Sequence, residues 1–141
     1  MVFTLDEVRF GVRAEDVVEI VRAVWVTPLP GAPDVVEGVI DVRGQLVPVL
    51  DLRRRFGLPP RKITTEDHMI LVRAARRTRA LRVDRATDIA MVATADIGPP
   101  AHLEIAHLAG VARLEDGLLL LADLADFLSE AEARSLDEAL A

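Results

Sequence analysis

The chain has 141 residues, enough for one domain with a sizeable core, and 51% of them are hydrophobic, which excludes a disordered protein. Its net charge of −6 argues against binding of a nucleic-acid backbone as the main activity. Because cysteine is absent, disulfides and thiolate metal sites are excluded, and a cytoplasmic protein is expected.

The first part of the chain predicts short strands, because Val, Ile and Leu recur in runs between breaker residues. Strands are expected at 2–5, 8–12 and 17–26. The proline cluster at 27–33 must be a loop. The longest apolar runs fall well short of the roughly 20 residues that span a bilayer, so no direct membrane insertion is expected.

A hairpin is predicted where the apolar runs 39–42 and 46–50 flank the three residues 43–45. Glycine in so short a connection permits the positive φ of a tight turn, which leaves the guanidinium of Arg43 at the tip. Pro48 cannot donate a ladder hydrogen bond, so its strand is expected to be a sheet edge or to carry a bulge there. Arg43 is the main functional candidate.

The second part of the chain begins with a predicted short helix at 51–56 and a boundary segment at 58–67. Strands are expected at 69–72, 80–83, 111–114 and 118–121, with another apolar run at 89–92. Ser129 followed by Glu132 is a capping-box pattern, which predicts a C-terminal helix at about 129–140.

An internal repeat relates the two halves by an ungapped shift of 72 residues. Gly38 matches Gly110, and Asp51 matches Asp123, so both aspartates are predicted to be helix N-caps rather than a catalytic pair. The match breaks at the hairpin tip, where Arg43 has no counterpart. A residue that served only the fold would recur in both halves, which favours a specialised role for Arg43.

The missing residue types disfavour catalysis. The only serines are Ser129 and Ser135, near the C-terminal end, and Gln45 is the only amide side chain. The body of the fold therefore lacks serine and cysteine nucleophiles and most oxyanion-hole donors. A small hydrolase remains the alternative from another class. His102 and His107 are five residues apart and share neither a helix face nor a strand face, so no metal site is predicted.

The arginine-rich segment 73–85 is the one candidate for nucleic-acid binding, as a basic hairpin module. Aromatic residues are only 4% of the chain, and base stacking needs them. A solvated hairpin is therefore favoured over a nucleic-acid site.

These motifs together resemble the CheW family, the adaptors of bacterial chemosensory arrays. The resemblance is carried by a strand, a valine-rich segment with glutamate, a proline-rich loop, a glycine, a turn before a Pro-Val strand, and an Asp-Leu helix start. Here these are residues 3–5, 17–20, 29–33, Gly38, 41–44, 47–49 and 51–52. Asp41-Val42 replaces the family's usual Asn-Leu, and Ala80 lies where a glycine is common.

The resemblance implies a mainly β protein of two five-stranded SH3-like β-barrel subdomains packed together, each with its own core, with short helices and a C-terminal helix. Residues 1–141 would form a single CheW-like domain. The first barrel would cover about 9–64. The second would cover about 65–126 together with the N-terminal strand 1–8.

The resemblance also implies a non-catalytic role without cofactor or metal. Such adaptors couple the cytoplasmic tip of chemoreceptors to the regulatory domain of a histidine kinase, in flagellar chemotaxis or, as the alternative, in a non-flagellar pathway such as twitching motility or development. Receptor binding is expected between the barrels near Val17, Glu19, Arg43 and Gly44.

Two observations from the residues bear on these positions. Strand alternation places Val17 and Glu19 on one face, with Val18 and Ile20 on the other. The competing interpretation of Arg43 is an exposed turn residue or a local ion pair with Asp41 or Glu37.

Overall fold

The computed structural model describes residues 1–74, 76–100 and 105–141, and it is mainly β with a C-terminal helix. The strands are β1 (Val2–Leu5), β2 (Val8–Gly11), β3 (Val17–Arg22), β4 (Val36–Val42), β5 (Gln45–Asp51), β6 (His68–Ala74), β7 (Arg77–Val83), β8 (Arg85–Asp88), β9 (Ile97–Gly98), β10 (Leu108–Leu114) and β11 (Gly117–Ala122). The α-helices are α1 (Leu52–Arg55) and α2 (Glu130–Leu140). Most predicted strands are present, whereas the apolar run 89–92 lies outside them.

The strands form two packed sheets, one of five strands in the order β3-β6-β7-β5-β4 and one of six in the order β8-β1-β2-β11-β10-β9. The grouping predicted for the barrels is therefore wrong in two places. β6 and β7 belong with β3 to β5, and β2 belongs with β1. The reason is that β5 pairs in parallel with β7, and β11 pairs in parallel with β2. Parallel pairs join strands that are far apart in the sequence, whereas the sequence pattern reveals only hairpins between neighbouring strands.

The five-stranded sheet closes through the segment that follows β3. Thr27 and Val39 exchange backbone hydrogen bonds, with N–O distances of 3.0 and 2.8 Å. Next to this bridge, Gly38 has a φ of +155°, and a Cβ built on it would lie 2.1 Å from the Thr27 carbonyl oxygen. Only glycine lets the two backbones approach this closely.

β5 is an interior strand, so the prediction of an edge strand at Pro48 is wrong. Its parallel pairing with β7 covers only Val49 to Asp51, and Pro48 lies immediately before it. The missing N–H of Pro48 therefore costs no hydrogen bond to β7. The register shift lies instead in β4, between Val36 and Gly38.

The main hydrophobic core is shared between the sheets, contrary to the expectation of one core for each barrel. It contains Phe3 and Phe10 of the six-stranded sheet together with Leu50 and Ile70 of the five-stranded sheet. The ring of Phe56, after α1, stacks on Phe10 with centroids 4.6 Å apart. Smaller buried clusters lie within each sheet. The two halves thus bury their largest apolar surface against each other.

A chain of ion pairs also links elements of the two halves. Arg53, only 3% exposed, donates to Asp6 in the β1–β2 turn and to Asp84 between β7 and β8, each at 2.6 Å. Arg61 donates to Asp84 and Asp67, each at 2.7 Å. Buried charges are tolerated only when paired in this way, because leaving one unpaired costs several kcal/mol.

The internal repeat is visible in the structure. The register shift between Val36 and Gly38 in β4 recurs between Leu108 and Gly110 in β10. Asp51 Oδ1 accepts a hydrogen bond from the backbone N–H of Arg54, and Asp123 Oδ1 accepts one from that of Ala125, as expected of N-caps. The predicted capping box at the start of α2 is also confirmed.

Candidate protein-binding site

The tip of the β4–β5 hairpin is a two-residue turn made by Arg43 and Gly44. Both have positive φ, +51° and +83°, as a primed hairpin turn requires. Asp41 Oδ1 accepts a 2.7 Å hydrogen bond from the Gly44 N–H, so aspartate maintains the turn here. Positive φ is uncommon for an arginine, and such backbone strain is concentrated at functional sites.

The Arg43 side chain reaches from this turn to β3. Its Nη2 lies 2.7 Å from Glu19 Oε2, and the two side chains are 73% and 31% exposed. Neither local partner considered from the sequence is used: Asp41 accepts from the turn, and Glu37 pairs with Arg82. An ion pair this exposed contributes about 0.2–1 kcal/mol to stability. The ion pair with Glu19 therefore fixes the direction of the Arg43 side chain but contributes little to the stability of the fold.

The four predicted site residues are only partly brought together. Glu19 and Arg43 are in direct contact, and Gly44 forms the turn beside them. Val17 is half-buried and packs against the shared core, so its contact with a partner stays a prediction. β3 also bulges here, because its register with β6 shifts between Val17 and Glu19.

Four large apolar side chains are exposed on β3 and on the segment after it, and they form a surface that the sequence reasoning did not identify as a site. We call it the β3 apolar surface: Val18, Ile20, Val24 and Trp25, which are 57%, 39%, 50% and 86% exposed. The last two line a groove of about 300 Å³ together with Ile63. Exposed large apolar side chains that include a tryptophan are typical of protein interfaces. The available signal was the single tryptophan next to the proline loop.

A metal site, a serine nucleophile and a membrane span find little support in the part of the chain that the structure describes. No group of three or more His, Cys, Asp or Glu side chains that could hold a metal ion occurs among these residues. His102, one of the two histidines considered above, lies outside them. Ser129 is engaged as the N-cap of α2, its hydroxyl accepting from the Glu132 N–H at 3.1 Å. None of the described helices has the length and hydrophobicity that a membrane span requires.

The chain is similar in sequence to known proteins. A sequence model of the CheW-like domain matches residues 1–132. The chemotaxis protein CheW of Klebsiella aerogenes is 27% identical, over 97% of this chain and 85% of its own length. Protein FrzA of Myxococcus xanthus is 31% identical, over 77% of this chain and 70% of its own length.

A solved structure is also similar. The scaffolding protein TtCheW of Thermoanaerobacter tengcongensis superposes with a TM-score of 0.85 at 30% identity, covering 93% of this chain and 92% of that one. The match therefore covers most of the fold. On the family match and this similarity, the chain belongs to the CheW family of chemotaxis scaffold proteins.

Proposed function

We propose that this protein is a non-catalytic cytoplasmic adaptor that couples the cytoplasmic tip of chemoreceptors to the regulatory domain of a histidine kinase. The observation that carries the proposal is the Arg43 turn. One of two repeated hairpins presents a largely exposed arginine on a backbone of positive φ, orientated by Glu19. This arrangement stabilises the fold little and suits an interface, where the planar guanidinium binds carboxylates well.

The surroundings of Arg43 support a protein partner. Glu19 lies on β3, whose outward face carries Val18 and Ile20 of the β3 apolar surface. By strand alternation these two side chains lie on the opposite face of β3 from Glu19, so a partner that contacts both would wrap around this strand with an apolar core and a charged rim. Val17, Glu19, Arg43 and Gly44 are the residues that we assign to this interface.

The similarity to FrzA supports a second candidate within the same class, an adaptor of a non-flagellar chemosensory pathway. The binding chemistry proposed for Arg43 is the same in both cases. The two candidates differ in the receptor and kinase that are bound, so co-purification of each partner from the native cell distinguishes them.

The test compares Arg43→Ala and Arg43→Glu with the parent in thermal unfolding and in co-sedimentation with receptor fragments and kinase. Because the ion pair is exposed, Arg43→Ala is expected to change the free energy of unfolding by less than about 1 kcal/mol. Arg43→Glu is expected to abolish assembly, because reversing a desolvated interface charge costs on the order of 2–5 kcal/mol in binding.

Arg13→Glu is the matched control, since Arg13 also forms an exposed ion pair, with Glu15, but lies outside the proposed interface. It is expected to assemble normally. A large fall in melting temperature for Arg43→Ala would make Arg43 structural. Unchanged assembly of Arg43→Glu would reject the proposed contact.

A further inference from the structure

Four arginines of the β6–β7 hairpin line one concavity. They are Arg73, Arg76, Arg77 and Arg79, and the space has a volume of about 370 Å³. Its other walls come from Leu46 and Pro48 of β5 and from Leu136, Asp137 and Leu140 of α2. We call this space the arginine concavity. The adaptor function proposed above does not use it.

Arg79 is the half-buried member of the group. It shares a face of β7 with Leu81, two residues further along and fully buried in the core, so its side chain continues the core face towards the concavity. In the described part of the chain, no carboxylate lies within 4.0 Å of its guanidinium. Burial lowers the pKa of Arg79, and the neighbouring charge of Arg77 lowers it further, with Asp137 opposing both.

An arginine stays charged even in such a position, so Arg79 presents to the concavity a cation that no described carboxylate neutralises. Among the residues that the structure describes, the one acidic side chain that lines the concavity is Asp137, which is paired with Arg77. Four arginines against one aspartate leave a local charge of +3 in a chain whose net charge is −6. The concavity therefore attracts anionic groups.

The walls of the concavity indicate that its ligand also carries an apolar group. Leu46 is 59% exposed and Leu140 is 37% exposed, and both face the space that the arginines surround. An inorganic anion would neutralise Arg79 but leave these leucines in water. In the described lining there is no aromatic side chain for base stacking, which disfavours a nucleic acid.

We propose that the arginine concavity is a second interaction site, which binds an acidic segment of a partner protein through Arg79. A carboxylate of the segment bonds to the Arg79 guanidinium, and an aliphatic side chain next to it packs on Leu46 and Leu140. Arg73 and Arg76, exposed at the rim, attract the approaching segment. This proposal is independent of the Arg43 contact.

The test measures binding of fluorescein-labelled synthetic peptides to the full chain by anisotropy. The probe is Gly-Glu-Leu-Glu-Glu-Leu-Gly, with one comparison peptide that carries Gln for Glu and another that carries Ser for Leu. Inorganic phosphate and a mixed-sequence oligonucleotide serve as competitors. The variants are Arg79→Gln, Arg76→Gln, Leu46→Ser and Asp137→Asn, with Arg113→Gln, an exposed arginine of β10, as the control.

We expect saturable binding of the acidic leucine peptide and at least tenfold weaker binding of both comparison peptides. Arg79→Gln should weaken binding about tenfold, Arg76→Gln and Leu46→Ser each severalfold, and Arg113→Gln not at all. Asp137→Asn should strengthen binding, because it releases Arg77 and removes the acidic group of the described lining. Thermal melts establish whether each variant is folded. If Arg79→Gln does not fold, Arg76→Gln, on an exposed turn, still tests the contribution of the arginines to binding.

Three results would overturn the proposal. The first is no binding of the acidic leucine peptide at millimolar concentration. The second is binding that the arginine substitutions leave unchanged. The third is tight binding of phosphate or the oligonucleotide at the concavity without binding of the peptide, which would assign the site to another class of ligand.

Discussion

Gly38 and Gly110 occupy equivalent positions of the repeat, but their surroundings differ. A Cβ on Gly38 would lie 2.1 Å from the Thr27 carbonyl oxygen, and one on Gly110 would lie 3.1 Å from the Gly98 carbonyl oxygen. In both cases the glycine lets a neighbouring backbone segment pack against the bulged strand. The contact at Gly38 is the one that closes the five-stranded sheet.

We predict that Gly38→Ala destabilises the protein by about 3 kcal/mol, and Gly110→Ala by about 1 kcal/mol. The first substitution must separate the Thr27–Val39 bridge, whereas the second needs a shift of a few tenths of an ångström. Equilibrium urea unfolding of both variants measures the difference. Because Gly38 also has positive φ, part of its loss comes from the backbone, and Gly31→Ala, at a glycine with positive φ and nothing within 4 Å, is the control for that part. Equal losses for Gly38→Ala and Gly110→Ala would show that the close approach does not determine stability.

At the scale of the element, the two aspartates that follow β5 and β11 begin equivalent helical turns. Asp51 caps the four-residue helix α1, and Asp123 caps the short 3₁₀ turn at Leu124–Asp126. The backbone N–H groups of the two aspartates also have equivalent partners. That of Asp51 donates to the carbonyl of Val35, and that of Asp123 donates to the carbonyl of His107, which is the repeat equivalent of Val35. The two turns are therefore equivalent in their hydrogen bonds, although one is an α-helix and the other a 3₁₀ turn.

Replacing either cap with alanine is expected to cost about 0.5–2 kcal/mol in the free energy of unfolding. The loss arises because a backbone N–H near the start of the turn loses its acceptor. Urea melts of Asp51→Ala and Asp123→Ala measure it. Asp34→Ala, which removes an exposed aspartate outside any cap, is the control and should change stability by less than about 0.5 kcal/mol. Unchanged midpoints for both cap variants would contradict the prediction.

At the scale of the whole molecule, carboxyl groups with shifted pKa values connect distant elements. The hydrogen bond from Arg55 lowers the pKa of Glu132 in α2. Burial raises the pKa of Asp84, but hydrogen bonds from Arg53, from the Asp6 N–H and from Arg61 outweigh it, and the pKa ends below its ordinary value. Burial raises the pKa of Glu37, and the hydrogen bond from Arg82 opposes this only in part.

These shifts act on stability in opposite directions as the pH falls. A carboxyl group whose pKa is lowered by folding stabilises the native state above its unfolded pKa of about 4, and this contribution disappears as the pH falls through the folded pKa. Glu132 and Asp84 therefore favour unfolding in acid. Glu37, whose pKa folding raises, contributes in the opposite sense, since its protonation favours the native state.

We predict that Glu132→Gln destabilises the protein by about 1 kcal/mol at pH 7 and that this difference shrinks below about pH 4. The amide oxygen of glutamine can still accept the hydrogen bond from the Ser129 N–H, whereas the charge that pairs with Arg55 and the oxygen that accepts its hydrogen bond are both lost. Urea unfolding at pH 7, 5 and 3.5 measures the difference from the parent. Glu130→Gln, an exposed residue of the same helix turn, is the control. A difference that stays constant with pH would show that the charge of Glu132 is not the cause.

The shared core predicts that the two halves fold together. Separating the chain between Pro60 and Arg61 removes β6 and β7 from the sheet that contains β3 to β5, and it divides the main core. Fragments 1–60 and 61–141 should each give poorly dispersed NMR spectra, because neither retains a complete sheet. Mixing them should recover part of the native spectrum. Two well-dispersed spectra from the isolated fragments would show that each half is an independent domain.

Local features of this protein followed from the sequence because they depend on neighbouring residues. The Arg43-Gly44 hairpin, the caps at Asp51 and Asp123 and the capping box at Ser129 each need only a few residues in the right order. The repeat of 72 residues was visible for the same reason: equivalent hairpins place glycine and aspartate at the same intervals.

Only the tertiary structure decided which strands share a sheet and what the candidate site contains. The parallel pairs of β5 with β7 and of β11 with β2 join segments separated by long stretches of chain, so no local pattern identifies them. The same applies to the partner of Arg43, which is Glu19 on another strand, and to the arginine concavity, which α2 completes with leucines. Local conformation is set by backbone sterics and nearby hydrogen bonds, whereas these long-range contacts depend on how the whole chain buries its apolar surface.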